Sequence, residues 1–359
     1  MKYTRKITAI LLAVVMLFTL ASCSLVNASQ TDLTTDNIKI GVILKETRDT
    51  KTGTSGIINA TLDNITDIDC GISEERFKVS DNIDPDNADA VADAYKTLIN
   101  FECNIIIASD PAYYDDTAKV ADANPAVAFF VFGAEKGNGK NVFSFNADIN
   151  PAVYLEGIAA GMKAAELKMP DIGFILADEN DVNIANIFTM GAKSANPAVK
   201  VSSAAAGNDV AAAAQKLITN GCAVLASDIQ SEEIAKAAVE NNVFFCDFGT
   251  EAFNNEDYEK AFLCAPLYDF TQYFADVTKA IVDYDVEANS EKGAVELLIG
   301  EGKIKDCAGT FESGSVYLSE ISLANGAEGS GEAVRNAISS GKVAEASGFV
   351  SALSSSQLS

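Results

Sequence analysis

The sequence predicts an α/β protein of two lobes, each a doubly wound parallel sheet. The chain has 359 residues, which suits about two domains. Short apolar runs alternate with segments of helical periodicity in two successive series, the pattern of repeated βαβ units. The central runs are unbroken by polar residues, as expected where helices cover both faces of a parallel sheet.

The first series of elements begins with the strand Ile38–Leu44. Its clearest helix, Ala88–Asn100, follows Pro85 and carries Val91 and Leu98 on one face at helical spacing. The predicted strands are Ile38–Leu44, Arg76–Val79, Asn104–Ala108 and Val127–Phe132, and the predicted helices are Ile57–Ile65, Ala88–Asn100 and Thr117–Ala123.

The second series begins after Pro151 with an apolar helix, Tyr154–Met162, whose small residues favour close packing. We expect right-handed crossovers in both series. The further predicted strands are Asp171–Leu176, Lys200–Ser203, Ala223–Ala226 and Val243–Cys246, and the further helices are Ala185–Ser194, Val210–Asn220 and Glu232–Asn241.

The N-terminus has the features of a bacterial export signal. Three basic residues precede the apolar run Ile7–Leu20, which is too short to span a membrane, and small residues then lead to Cys23. This resembles a lipobox, so we expect residues 1–22 to be removed and Cys23 to be lipidated, anchoring the protein to the outer face of a bacterial membrane. The alternative is an ordinary secretory signal with an incidental cysteine. Residues 23–36 are polar and predict a flexible tether.

Composition excludes several classes of function. The chain contains no histidine, so Ser-His-Asp and Cys-His catalysis and histidine-bearing zinc sites are impossible. Its net charge of −25 disfavours nucleic acid. Asp81, Asp84 and Asp86 lack the glycine and the downstream glutamate of a calcium loop. We therefore expect no enzyme activity, no cofactor, no metal and no nucleic-acid partner.

Beyond Cys23, no two cysteines have CxxC spacing, and we predict mostly free thiols. These cysteines are Cys70, Cys103, Cys222, Cys246, Cys264 and Cys307.

Acidic residues follow the predicted strands in both halves of the chain. Open α/β sheets bind ligands beyond the carboxyl ends of their strands, so these residues are candidate ligand contacts. Asp110 and Asp178 follow strands of the first and second series, and Asp228 and Asp247 follow later strands of the second. For Asp110 the alternative is a helix cap, and for Asp247 it is a capped strand end.

Two sequence motifs resemble a known family. Tyr154–Gly161 followed by Asp171–Ile175, and Phe188–Pro197, are similar to segments of the basic membrane protein (BMP) family of solute-binding lipoproteins. The order of elements matches from about residue 38 to 318. The resemblance implies a type I periplasmic-binding-protein fold with three hinge crossings. It also implies a monomeric receptor for an ABC permease and ATPase, with purine nucleosides as the usual ligands.

The same resemblance implies domain boundaries. It assigns residues 37–147 and 249–285 to the N-terminal lobe, and residues 148–248 and 286–345 to the C-terminal lobe. Residues 346–359 form a C-terminal tail.

The resemblance also suggests ligand contacts. Asp49 corresponds to a residue that holds the base, and Asp247 to one that grips two ribose hydroxyls, while Phe145 and Asn146 fall at the first hinge crossing. The alternatives are a solvated loop for Asp49 and hinge packing for Phe145. Tyr268 completes the predicted site.

Leu267 stands where the family has a lysine. This departure leaves a sugar or another small solute as alternative ligands, and a sensing or adhesive lipoprotein without a transport role as the alternative function.

Overall fold

The computed structural model describes residues 32–67, 72–288 and 290–344. The predicted signal peptide, Cys23, most of the tether, Cys70 and the tail lie outside these ranges. Within them, no helix combines the length and apolarity needed to cross a bilayer.

The described part of the chain includes every strand and helix predicted from the sequence, together with further strands and helices that were not predicted. The strands are β1 (Ile40–Ile43), β2 (Phe77–Ser80), β3 (Ile105–Ala108), β4 (Ala128–Phe132), β5 (Val142–Ala147), β6 (Asp171–Leu176), β7 (Lys200–Ala205), β8 (Val224–Ser227), β9 (Phe244–Phe245), β10 (Pro266–Tyr268), β11 (Cys307–Gly309) and β12 (Val316–Leu318). The helices are α1 (Gly53–Asp67), α2 (Ala88–Asn100), α3 (Tyr114–Asp122), α4 (Asn150–Leu167), α5 (Asn183–Ala195), α6 (Val210–Thr219), α7 (Glu232–Glu240), α8 (Thr271–Val282), α9 (Ala294–Gly300) and α10 (Ser330–Ser339).

The first lobe is a six-stranded parallel sheet with the order β11-β5-β4-β3-β1-β2. Every residue of β1, β3 and β4 is buried, which explains their unbroken apolar runs. Helix α8 packs its Phe270–Phe274 end onto this sheet. Phe145 of β5 lies between Phe270 and Phe274, with ring centroids 5.1 Å from each and the rings edge to face.

The second lobe contains a four-stranded parallel sheet with the order β7-β6-β8-β9. Its helices α4 and α5 are in close contact because glycines face each other. A Cβ atom on Gly191 would lie 1.9 Å from the Tyr154 carbonyl oxygen, and one on Gly157 would lie 2.2 Å from that of Phe188. This contact explains the glycines in the two motifs that carry the family resemblance.

The described chain passes between the lobes three times, at residues 147–150, 266–270 and 309–316. The last two passages lie side by side, because β10 pairs antiparallel with β12. These positions agree with the three hinge crossings of the predicted fold.

The lobe boundaries differ from the sequence prediction in two places. Residues 249–265 pack with the second lobe, where Phe253 and Phe262 are buried in its core. Residues 294–309 pack with the first lobe, because Leu298 joins its core and β11 pairs with β5 through Cys307 and Phe145. Edge pairing with β5, rather than position in the sequence, assigns this segment to the first lobe.

Candidate functional site

A cavity of about 570 Å³ lies where the two lobes meet. The first lobe contributes Arg48–Lys51, the loop after β1, together with one face of α1. Gly249–Ala252, which follow β9, contribute from the second lobe, and Leu267 and Tyr268 of β10 contribute from a crossing. The cavity is therefore built from segments beyond strand carboxyl ends in both sheets, as is usual for ligand sites in α/β folds.

Acidic side chains outnumber basic ones around this cavity. The carboxylates are Asp49, Asp63, Glu74 and Glu251, and the cations are Arg48 and Lys51. Arg48 forms an ion pair with Asp63, so part of the positive charge is already matched within the wall. This balance disfavours an anionic ligand.

The loop after β1 is fastened to α1 by Asn59. This side chain is 4% exposed, and its Nδ2 donates to the carbonyl oxygens of Thr50 at 2.9 Å and Thr47 at 3.3 Å. Asn59 also lines the cavity, so its bonds connect two parts of the first-lobe wall, the loop after β1 and α1.

Two polar side chains of the second lobe bond directly to the first lobe, at Lys51 and at Gly53, the first residue of α1. Gln230, in the loop after β8, accepts a hydrogen bond at Oε1 from the Gly53 amide at 2.8 Å. Thr250 donates through Oγ1 to the Lys51 carbonyl oxygen at 2.7 Å and accepts a bond from Gln230 Nε2. The lobes are thus joined at the rim of the cavity.

Asp247 lies beside this junction but does not line the cavity. Its Oδ1 accepts a hydrogen bond from the Phe248 amide at 2.9 Å, and its Oδ2 accepts one from the Phe253 amide at 3.1 Å. Gln230 Nε2 also donates to Oδ2, at 3.5 Å. The residue is 3% exposed, and burial raises the pKa of its carboxyl from 3.8 to about 7. Its geometry is that of a carboxylate that closes the loop after its strand.

Asp110 also bonds to nearby groups of its own lobe. Its Oδ1 accepts from the Ala112 amide at 2.9 Å, which caps the turn leading into α3, and its Oδ2 pairs with Lys45 at 3.3 Å. The predicted helix-capping alternative matches this arrangement.

Asp178 and Asp228 lie near one another at the end of the second sheet. Asp228 accepts from the Ala177 amide at 2.7 Å, and burial raises the pKa of its carboxyl. Asp178 is exposed and bonds the Asn180 backbone and side-chain nitrogens, each at 2.9 Å, which lowers its pKa. Neither residue lines the cavity.

The three predicted site residues at the hinge crossings have different environments. Phe145 is fully buried in the aromatic core, so it packs the hinge as in its predicted alternative and does not face the cleft. The Asn146 amide donates to the Ala134 carbonyl oxygen at 2.8 Å. Tyr268 lines the cavity, stacked on Phe270 with centroids 6.3 Å apart, and burial raises its pKa to about 12.

Of the predicted ligand contacts, the structure thus brings Asp49 and Tyr268 together in one cavity. Sequence reasoning missed Lys51, Asn59, Gln230 and Thr250. Gln230 and Thr250 do follow predicted strands by a few residues, as the predicted aspartates do, but amide and hydroxyl side chains are too common in loops to single out.

A buried acid lies behind the junction, in α4. Glu156 has no exposed surface, and neither of its carboxyl oxygens has a nitrogen or oxygen partner among the described residues. Burial, together with the neighbouring Cys246 and Asp247, raises the pKa of Glu156 well above its ordinary value. Burial therefore favours the protonated, neutral form of the Glu156 carboxyl in the folded protein.

The cysteines agree with the prediction of free thiols within the described residues. These are Cys103, Cys222, Cys246, Cys264 and Cys307. The Sγ atoms of Cys246 and Cys264 lie 3.9 Å apart beside Glu156. Burial raises the pKa of Cys103 to about 12 and that of Cys222 to about 11, which makes both thiols poor nucleophiles.

Comparison with known proteins identifies a family for this chain. The sequence profile of Bmp, described as ABC transporter substrate-binding protein PnrA-like, matches residues 50–251, more than half of the chain. A curated relative, metabotropic glutamate receptor-like protein M of Dictyostelium discoideum, is 25% identical over 198 residues, which are 51% of this chain. The chain spans about a quarter of that relative's length (26%).

Two solved structures share the fold. An ABC transporter solute-binding protein from Conexibacter woesei superposes with a TM-score of 0.62 at 15% identity, over 85% of this chain and 97% of the other. A transcriptional activator of the comK gene from Bacillus halodurans superposes with a TM-score of 0.62 at 18% identity, over 84% and 97%. At these identities the similarity establishes the fold alone.

Proposed function

Because the chain belongs to the Bmp family of PnrA-like ABC transporter substrate-binding proteins, we propose that it captures a purine nucleoside in the cavity between its two lobes. The captured nucleoside is delivered to an ABC permease with its ATPase. Hinge closure of the lobes around the solute accomplishes the capture.

The observation that carries this proposal is the composition of the cavity wall. Loops beyond the carboxyl ends of β1 and β9 meet there with β10, one of the three crossings. A solute in this position touches both lobes and the hinge at once, so its binding energy favours the closed arrangement. The volume of about 570 Å³ lies within the range of about 300–1,000 Å³ that is typical of small-molecule pockets.

The lining chemistry favours a neutral ring compound. Tyr268, Tyr317 and Leu267 offer apolar and aromatic surface for a base, while Asp49 and Glu251 can accept hydrogen bonds from sugar hydroxyls. The excess of carboxylates repels phosphate. A nucleoside therefore suits the cavity better than the corresponding nucleotide.

The cellular setting belongs to the same proposal. Export by the N-terminal signal and lipidation at Cys23 place the protein on the outer face of a bacterial membrane, where a solute receptor meets its ligand and its permease. A sensing role without transport is the competing possibility, and uptake of labelled inosine by a deletion strain decides between the two.

Calorimetric titration tests the ligand class directly. We expect saturable binding of inosine, adenosine or guanosine, weaker binding of inosine monophosphate, and no binding of free ribose at the same concentration. A sugar that binds while all three nucleosides do not would overturn the nucleoside assignment. If none of the tested compounds binds, the cavity is not a site for this class of solute.

A further inference from the structure

We propose that Gln230 and Thr250 form an interlobe latch with the backbone of Lys51 and Gly53, and that Asp247 positions this latch at the rim of the cavity. The latch deepens the proposed solute-capturing function and rests on it for its biological purpose. Its existence is tested without any solute.

In the latched arrangement, the Gln230 side chain uses both of its donor protons and its acceptor oxygen. Its Oε1 accepts the Gly53 N–H at 2.8 Å, and its Nε2 protons go to Thr250 Oγ1 and to Asp247 Oδ2, the latter at 3.5 Å. An amide offers two donor protons and one acceptor oxygen, and each is used here. The side chain is half-buried, so these bonds are formed away from bulk water.

Thr250 transmits the same contact to a second point on the opposite lobe. Its hydroxyl accepts from Gln230 and donates to the Lys51 carbonyl oxygen at 2.7 Å. A hydroxyl has one proton to give, and the geometry directs it across the lobe boundary. Gln230 and Thr250 thus act together on residues 51–53.

The first-lobe partner of the latch is the beginning of a helix. Gly53 is the first residue of α1, and the first amides of a helix have no acceptor within it. Gln230 supplies that acceptor to the Gly53 amide from the other lobe, so this bond forms only when the lobes are together. Separation of the lobes returns the Gly53 amide to water.

Asp247 fixes the second-lobe side of the latch. Its carboxylate binds the amides of Phe248 and Phe253 and so determines the path of the loop that carries Thr250. The same carboxylate holds Gln230 from the other side. Asp247 therefore acts through Gln230 and Thr250 and does not itself touch the cavity.

Hydrogen exchange of the full-length protein, followed by mass spectrometry without added solute, tests the latch. In Gln230→Ala we expect the amide of Gly53 to exchange at least about fivefold faster, because its one acceptor is gone. Amides of β8 keep their wild-type rates, since Gln230 lies outside that strand. Gln215→Ala is the matched control, because Gln215 lies exposed on α6 of the same lobe and its side chain bonds to Thr219 and Asn241 of that lobe.

Two results would overturn the latch. One is unchanged exchange at Gly53 in Gln230→Ala. The other is equal acceleration at Gly53 and throughout β8, which would mean that Gln230 merely supports its own lobe. Calorimetry with inosine on the same wild-type sample separates this test from the ligand assignment: absent binding rejects the nucleoside proposal and leaves the exchange result standing.

Discussion

The Asp247 carboxylate accepts the Phe253 amide proton at 3.1 Å and thereby closes the loop that leaves β9. The Phe253 amide is buried, so it has no water to replace this acceptor. The loop carries Thr250 and Glu251, which line the cavity between the lobes. A carboxylate next to the cavity thus shapes its wall.

Removal of this carboxylate is expected to destabilise the protein. Asp247→Ala leaves the Phe253 amide buried without an acceptor, which lowers the free energy of unfolding by about 2 kcal/mol. Asp247→Asn costs less, because its oxygen still accepts one bond. Urea denaturation measures both, and Asp178→Ala, which removes an exposed carboxylate, should cost under about 1 kcal/mol. Normal stability of Asp247→Ala with lost solute affinity would instead assign Asp247 to the ligand.

The buried acids predict an unusual pH dependence. Burial raises the pKa of Asp247 from 3.8 to about 7 and that of Glu156 well above its ordinary value. From about pH 4 to 7 the folded state holds protons that the unfolded chain has released, so the free energy of unfolding falls as pH rises.

Glu156→Gln isolates the contribution of one of these acids. The neutral amide needs no proton, so this variant should be more stable than wild type at pH 8 and nearly equal to it at pH 4. The stability difference should grow between pH 4 and pH 8, because the unfolded wild-type chain releases the Glu156 proton in this range and the folded state retains it longer. Thermal melts at both pH values measure the difference, with exposed Glu240→Gln as control. A wild-type slope that persists in full in Glu156→Gln would show that Glu156 is not a source of it.

The close contact between α4 and α5 predicts that a side chain larger than that of glycine is destabilising at position 191. Gly191→Ala places a methyl group where the Tyr154 carbonyl oxygen lies 1.9 Å away, and the helices must separate. We expect a loss of about 1–3 kcal/mol in unfolding free energy. Gly300→Ala has no neighbour within 4 Å and should instead be neutral or stabilising. Chemical denaturation that ranks the two variants in the opposite order would contradict the packing argument.

The charge of the cavity wall predicts a change of specificity. Asp49→Lys with Glu251→Lys should reduce the preference for inosine over inosine monophosphate by about tenfold, equivalent to about 1.4 kcal/mol. Glu240→Lys with Asp276→Lys makes the same change in net charge on exposed helix faces and should leave the preference intact. Equal effects in the two double variants, measured by calorimetry, would mean that only the overall charge matters.

The proposed lipid anchor predicts a change of location. Cys23→Ala removes the proposed acceptor of the lipid, so the protein should appear in the medium or remain as unprocessed precursor. Fractionation and labelling with a fatty-acid analogue check this outcome. Unchanged membrane labelling in Cys23→Ala would reject lipidation at this position.

The sequence was sufficient for the fold because the lobes are built from local βαβ units. Helix Ala88–Asn100 has the predicted bounds, and the core strands differ from prediction by a residue or two at their ends. Strand β5 was missed, and so was β11, a three-residue strand that pairs with β5 from a distant part of the chain. Pairing over that separation leaves no local signal.

The site was harder to predict because side-chain direction decides it. Phe145 and Asn146 are neighbours on one strand, and the alternation of a strand sends Phe145 into the core and Asn146 toward Ala134. The partners of Asp247 depend on the path of a loop that returns six residues later. Proximity to a strand end identified the region but not the contacts.

The late position of β11 has a consequence for biogenesis. The first sheet cannot acquire its last strand until residue 309 has been synthesised, although its other strands are complete by residue 147. Until then the edge of β5 stays unpaired and open to wrong partners. Contacts of such sequence separation slow folding, which keeps the chain unfolded for longer. This topology is compatible with the proposed export, in which the chain is threaded through a translocation pore before it folds.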